Sequence, residues 1–313
     1  MAEPLPQVPG PKLGPFTPTA HADIEFIQEL GNPSLNKDSR VWKVRINQSG
    51  PDFALKLFYF SSADYLADTA AGGLTCTLAN PQLYIDYFDA FSCECRAYGR
   101  LKDENREDLA VRAHGYLFLT QEQEATISKK ILGATYKPDH DEAELDGRKL
   151  WNRCEEHRHL PIRAIVKDLA TDPDPLWPAA LPGMWSDVKD LHRLGILVRD
   201  ITVFNYIGAK LVDFSRAWTW PHPAFVHLNS YYLDKERKHD PHALRMAIID
   251  YGTWKRWDWD KVEIPEELTK CDLGWRQHHK THDVDPRDYD WLRWEKDPAE
   301  ADAFLSKNCT PRI

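Results

Sequence analysis

The passage LHRLGILVRDITVFNYIGAKLVDFSRAW, from Leu191 to Trp218, constrains this chain more than any other stretch. In WSDVKDLHRL, Val188, Leu191 and Leu194 recur at helical spacing, and Gly195 supplies a stop signal. NYIGAKLVDF then reads as two short strands split at Gly208 and Ala209. Asp200 and Asn205 lie between the helix and this hairpin, and Asp213 ends its second strand. A tight hairpin returns Asp213 to the side of Asn205, so three oxygen-bearing side chains share one loop edge. Such a set binds Mg²⁺, or pairs with a guanidinium or ammonium group, or orients an attacking hydroxyl or amine. Each residue alone also has a plain structural use as a turn cap, a backbone partner or a strand end. Their convergence is what points to chemistry.

The rest of the chain is organised around that segment. Residues 1–19 carry six prolines and read as a flexible arm. Residues 20–146 read as a small strand-rich part. Ala20 to Leu30 predicts a short helix. RVWKVRI and FALKLFYF predict two strands joined by the turn sequence NQSGPD. Gln82 to Leu101 is compatible with helix, Ala110 to Leu119 reads as strand, and residues 120–146 predict a hairpin or insertion. Residues 147–313 read as a larger, mostly helical part with a Trp-rich tail. There Arg148 to Asp168 predicts a partial helix interrupted by Pro161, and Pro241 to Trp254 another helix. His192 reads as a helix-surface residue.

The formal charge of -9 gives no bulk attraction to nucleic acid or acidic membrane. One local exception is Arg148 to Lys167. There Arg148, Lys149, Arg153, Arg158, Arg163 and Lys167 face only Glu155 and Glu156, six charges against two. That is the one candidate surface for RNA, weighed against an ordinary solvated helix face. Six cysteines show no Cys-x-x-Cys pair and no zinc framework, and no metal is assigned. His278, His279 and His282 read as surface histidines. The N-terminus lacks the apolar core of a signal peptide, and no run of 18 apolar residues suggests a membrane span. A reduced, cytoplasmic protein is expected.

The central passage resembles the catalytic half of protein kinases and kinase-like phosphotransferases. It reads Val198-Arg199-Asp200, then Asn205, then Asp213-Phe214-Ser215. The resemblance implies an α+β, two-lobed protein-kinase-like fold, with a small strand-rich N-lobe and a larger, mostly helical C-lobe. It puts Asp200 in the catalytic-base position, and Asn205 and Asp213 in metal-ligand positions. It also makes Lys56 in FALKLF the strand lysine and Glu94 in FSCECRAYGRL its helix partner. The departures are Val198 for His, Ser215 for Gly, and a first turn, GNPSLNKDSRVWKV, with Gly31 but no further glycine. Glycines at that place let backbone N–H groups close on phosphates.

FSCECRAYGRL, AVRAHGYLFL and GILVRDITVFNYIGAKLVDFSRAWTW are also similar to a fungal domain family first named for a kinetochore subunit. Some of its members are arginine-containing cyclodipeptide synthases. That resemblance implies synthesis of a diketopiperazine from arginyl-tRNA and a second aminoacyl-tRNA, with no cofactor. Asp200, Asp213 and Glu94, with Arg199 beside them, would hold the substrate, and the basic segment would hold tRNA. Two other readings stand beside it: an ATP- and Mg-dependent phosphotransferase, and a non-catalytic kinetochore scaffold with a pseudokinase body and a protein partner.

Overall fold

The computed structural model describes residues 5–17, 23–31, 37–47, 50–71, 74, 77–78, 80–133, 148–172, 174–228, 230–264, 299–300 and 303. Its first regular element is a strand, β1 (Ile24–Leu30), where a helix is predicted. Ile24 and Phe26 are buried and Glu25 is exposed. That alternation has the period of a strand with one covered face. β1 pairs antiparallel with β2 (Ser39–Ile46), and β2 with β3 (Asp52–Phe58). β4 (Ala113–Phe118) forms one edge of the sheet.

Between β3 and β4 runs β5 (Arg163–Asp168), giving the order β1-β2-β3-β5-β4 with antiparallel pairing throughout. The predicted helix over Arg148 to Asp168 therefore shrinks to one turn, α5 (Arg148–Trp151). After Pro161 the run Ala164, Ile165 and Val166 is fully buried as a central strand. Because β5 completes the sheet, the strand-rich part of the molecule extends to Asp168, beyond residue 146.

Before β4 come the helices α1 (Ala63–Thr69), α2 (Gln82–Phe88) and α3 (Ala90–Asp103). The helix-compatible run from Gln82 breaks at Asp89. Its backbone is extended there, and its carboxylate accepts the N–H groups of Phe91 and Ser92. The same carboxylate pairs with Arg163 of β5 at 2.9 Å, which ties the start of α3 to the sheet. After β4, α4 (Gln121–Leu132) replaces the expected hairpin. Its N-terminus is fixed by a capping box between Thr120 and Gln123. Residues 134–147 lie outside the described residues.

The C-terminal half holds α6 (Leu181–Arg193), α7 (Pro223–His227) and α8 (Ser230–Trp254). Four short strands lie between α6 and α7: β6 (Ile196–Leu197), β7 (Tyr206–Ile207), β8 (Lys210–Leu211) and β9 (Trp218–Thr219). β6 pairs with β9, and β7 with β8. Gly208 and Ala209 both have positive φ, as a two-residue hairpin turn of this hand requires. The architecture is α+β, with a strand-rich N-terminal region and a mostly helical C-terminal region.

Residues 5–17 of the proline-rich arm are laid against this body. Leu13 N–H donates to Cys95 O of α3 at 2.9 Å, and Phe16 N–H to Tyr116 O of β4 at 2.8 Å. Leu13 is 1% exposed. A Cβ at Gly99 would stand 2.5 Å from the Lys12 backbone, so the close approach of arm and helix needs glycine. The arm covers the outer edge of β4, where unpaired backbone groups would otherwise be exposed.

Candidate functional site

β3 and α3 together place the first pair of charges. Lys56 projects from β3 with 3% exposure, and its Nζ lies 2.7 Å from Oε2 of the fully buried Glu94. The same Nζ lies 2.7 Å from Oδ1 of Asp213, just beyond β8. Lys167 of β5 salt-bridges the other oxygen of Glu94 and donates to Val212 O at 2.8 Å. Ser215 N–H donates to Asp213 Oδ1 at 2.7 Å. Two ammonium groups and two carboxylates thus form one neutral cluster. Burial alone would lower the pKa of Lys56, but Asp213 and Glu94 outweigh it and hold the ammonium above its ordinary value. Burial would likewise raise Asp213, and Lys56 and Lys167 overcome it, so that carboxyl sits well below the usual range.

Asp200 and Asn205 stand at the rim. Asn205 Nδ2 donates to the Asp200 carbonyl at 2.7 Å and reaches its Oδ2 at 3.4 Å. The Asp200 side chain is 41% exposed, with Arg216 Nε 4.0 Å away. A cleft of about 600 Å³ runs past Lys56, Lys167, Asp200, Asn205 and Asp213, with an apolar wall that includes Val41, Ala54 and Val212. Four of the five predicted central residues, Lys56, Asp200, Asn205 and Asp213, therefore line one cleft, and Glu94 lies behind Lys56.

The loop carrying Asp200 hangs on a residue that the sequence reading missed. Asp240, in the middle of α8, is fully buried. Its Oδ2 accepts the Val198 N–H and its Oδ1 the Arg199 N–H, each at 2.7 Å. His192 Nε2 lies 2.9 Å from the same Oδ2. His192 is thus a buried partner of Asp240 and not a helix-surface residue. Burial would raise the Asp240 pKa; His192, His239 and the Arg199 amide hold it well below the usual range. Arg199 sits at φ +65°, a left-handed conformation that costs a residue with a Cβ roughly 1–2 kcal/mol. Its guanidinium pairs with Glu236 at 2.9 Å and stacks 3.6 Å from the Trp218 ring centre. No spacing rule marks Asp240; it is one aspartate before a proline in a charged run.

Among the described residues, three cations of the predicted RNA surface are paired inside the protein. Arg163 pairs with Asp89 and Lys167 with Glu94, both inside the protein. Arg153, almost buried, binds Glu124 and donates to Leu160 O at 2.9 Å. Arg158 pairs with Glu155 at 3.1 Å. Arg148 and Lys149 have side chains outside the described residues. Where a partial helix interrupted by Pro161 is predicted, the second half of the run is the central strand β5, and its Arg163 and Lys167 are paired inside the protein.

The family whose model matches this sequence is described as kinetochore Sim4 complex subunit FTA2, and the match covers residues 1–218. That is more than two thirds of the 313 residues, and the chain belongs to this family. No curated protein matches the chain. The membership corrects the expected activity. A family described as a kinetochore subunit does not support a tRNA-dependent cyclodipeptide synthase or a transferase of fungal secondary metabolism. Arginyl-tRNA and a second aminoacyl-tRNA fall as partners with it, in line with the buried cations of β5. The cytoplasmic placement falls for the same reason.

Proposed function

We propose that this chain is a non-catalytic scaffold subunit with a protein-kinase-like body, working beside other subunits of a Sim4-type kinetochore assembly at chromosomes. The observation that carries this reading is the family match over residues 1–218, and the neutral charge cluster accompanies it. In kinase chemistry the strand lysine meets phosphate oxygens and the aspartate after the hairpin meets metal. Here Lys56 and Asp213 contact each other at 2.7 Å, and Lys167 takes the remaining oxygen of Glu94. In this arrangement those charges neutralise one another.

Several features favour the kinase-like body. A five-stranded antiparallel sheet carries a lysine on its third strand, and a packed helix supplies the glutamate. A short hairpin brings Asp213 to the lysine, and a helix aspartate holds the backbone before Asp200. On this reading Lys56, Glu94, Asp200, Asn205 and Asp213 keep the geometry of an inherited cleft. Family membership favours the assembly role.

The test is affinity purification of the tagged full-length chain from its own cells, with and without Asp200→Ala. Other kinetochore subunits should copurify in both cases, and Mg·ATP should not raise the melting temperature of the isolated chain. Phosphoryl transfer that disappears in Asp213→Asn, or a chain that copurifies with no kinetochore subunit, would sink the proposal.

A further inference from the structure

Away from the cleft, one cluster of ligand-type side chains has no role in anything above. Cys154 is the N-cap of a single helical turn, Glu155–His157, between α5 and β5. Its Sγ lies 2.9 Å from His157 Nδ1 and 3.2 Å from Glu156 Oε1, and that oxygen lies 3.7 Å from His157 Nε2. One donor atom from each residue falls within 4.8 Å of the others. The turn explains the convergence: His157 N–H donates to Cys154 O at 3.0 Å, which brings the side chains of a Cys-x-Glu-His sequence to one side.

The site is partly fixed in advance. His157 is buried, and its ring stacks on Phe60 at 4.9 Å and 24°. A neutral ring offers a lone pair at physiological pH. The Cys154 thiol, with its proton, faces both the His157 ring nitrogen and the Glu156 carboxylate. A cation can replace that proton, since metal ligation favours the thiolate.

We propose that Cys154, Glu156 and His157 bind one zinc-class cation. A thiolate, an imidazole and a carboxylate make a zinc donor set, whereas Mg²⁺ and Ca²⁺ prefer oxygen alone. Glu156 is 62% exposed, so the fourth tetrahedral position faces solvent and takes water. Such an ion fastens the turn that leads into β5 to the neighbourhood of Phe60.

Co²⁺ titration of the reduced, chelator-treated full-length chain tests this. The expected result is about one equivalent bound with a thiolate-to-cobalt charge-transfer band, displaced by Zn²⁺. Cys154→Ser should abolish the band, and Glu156→Gln should weaken zinc binding by about tenfold or more. Zinc should raise the melting temperature of the native chain but not of Cys154→Ser. Metal-free melting of both variants establishes that they fold. If Cys154→Ser does not fold, Glu156→Gln, at an exposed position, decides alone. The proposal is overturned by the absence of a charge-transfer band, by a band that survives Cys154→Ser, or by unchanged zinc affinity in Glu156→Gln.

Discussion

Two fully buried carboxylates, Glu94 and Asp240, each organise one half of the molecule, and they are compensated in opposite ways. Glu94 is held by two full charges, Lys56 and Lys167. Asp240 is held by the imidazoles of His192 and His239 together with two backbone dipoles, the N–H groups of Val198 and Arg199. A buried ion cluster has a large desolvation cost to set against its attraction, so its intact form contributes little net stability. Losing one member is another matter, because the others stay buried and unpaired. A carboxylate facing backbone amides acts locally: it satisfies donors that have nowhere else to turn and holds Arg199 in its left-handed conformation. The first arrangement ties strand to helix across the sheet. The second sets the shape of the loop that carries Asp200 and Asn205.

The largest effect should follow Glu94→Ala. It leaves two buried ammonium groups, Lys56 and Lys167, facing the single carboxylate of Asp213, and should cost about 3–5 kcal/mol in urea unfolding. Glu94→Gln combined with Lys167→Met leaves Lys56 paired with Asp213 and should recover most of that loss. If the single variant costs less than about 1 kcal/mol, the lysines escape to water and the contrast with Asp240 collapses. Asp240→Asn should come next, at about 2–3 kcal/mol, because the new amide turns a donor toward a backbone donor. Its signature is spatial: hydrogen exchange should speed up at Val198 and Arg199 while β3 and β5 keep their protection.

pH separates the two centres further. Asp213 and Asp240 both have depressed folded-state pKa values. Their contribution is fully present above the unfolded carboxylate value of about 3.9 and is lost as pH falls below it toward the folded value. Lys56 is shifted the other way, above its ordinary value. Its contribution is fully present below the unfolded lysine value of about 10.4 and is lost as pH rises through the folded value. The charge cluster therefore weakens at both extremes, and the Asp240 centre in acid and again as pH rises through the raised folded-state value of His239, which Asp240 keeps charged. Stability measured across pH should show Lys56→Met flattening the limb above the lysine value, and Asp240→Asn flattening the acid limb together with the fall that accompanies His239 titration. A change above the lysine value in Asp240→Asn would show that the two centres are coupled.

The central hairpin was legible because Gly208 and Asp213 sit where a two-residue turn and a strand end need them. Lys56 emerged through resemblance, as the lysine of the strand FALKLF. Glu94 emerged only through resemblance, since α2 and α3 together look like one helix until Asp89 is seen to cap the second. Asp240 and Lys167 were illegible: each takes its role from contacts across tens of residues, and local periodicity carries no trace of them. The strand β5 shows the same limit. Its residues follow Pro161 directly, but a preceding basic run gave helical spacing more weight than the three apolar residues that a central strand buries. β1 failed for the converse reason, with only Ile24 and Phe26 to mark its covered face.

The smallest effect should come from Asp200→Ala, and it bears most on what the cleft is for. The Asp200 carboxylate is 41% exposed, and the shorter bond from Asn205 goes to its backbone carbonyl, which the substitution keeps. A surface change of this kind should alter stability by less than about 0.5 kcal/mol. Partner copurification should not change either, because a scaffold uses its outer surface and not the rim of a closed charge cluster. A loss of partners in Asp200→Ala with unchanged melting would place the binding surface at the cleft mouth, beside the 81% exposed Phe204. A loss of stability well above 1 kcal/mol would instead make Asp200 part of the structural network that begins at Asp240. Either outcome would end the separation between a structural interior and a passive rim on which the contrast of the two carboxylates rests.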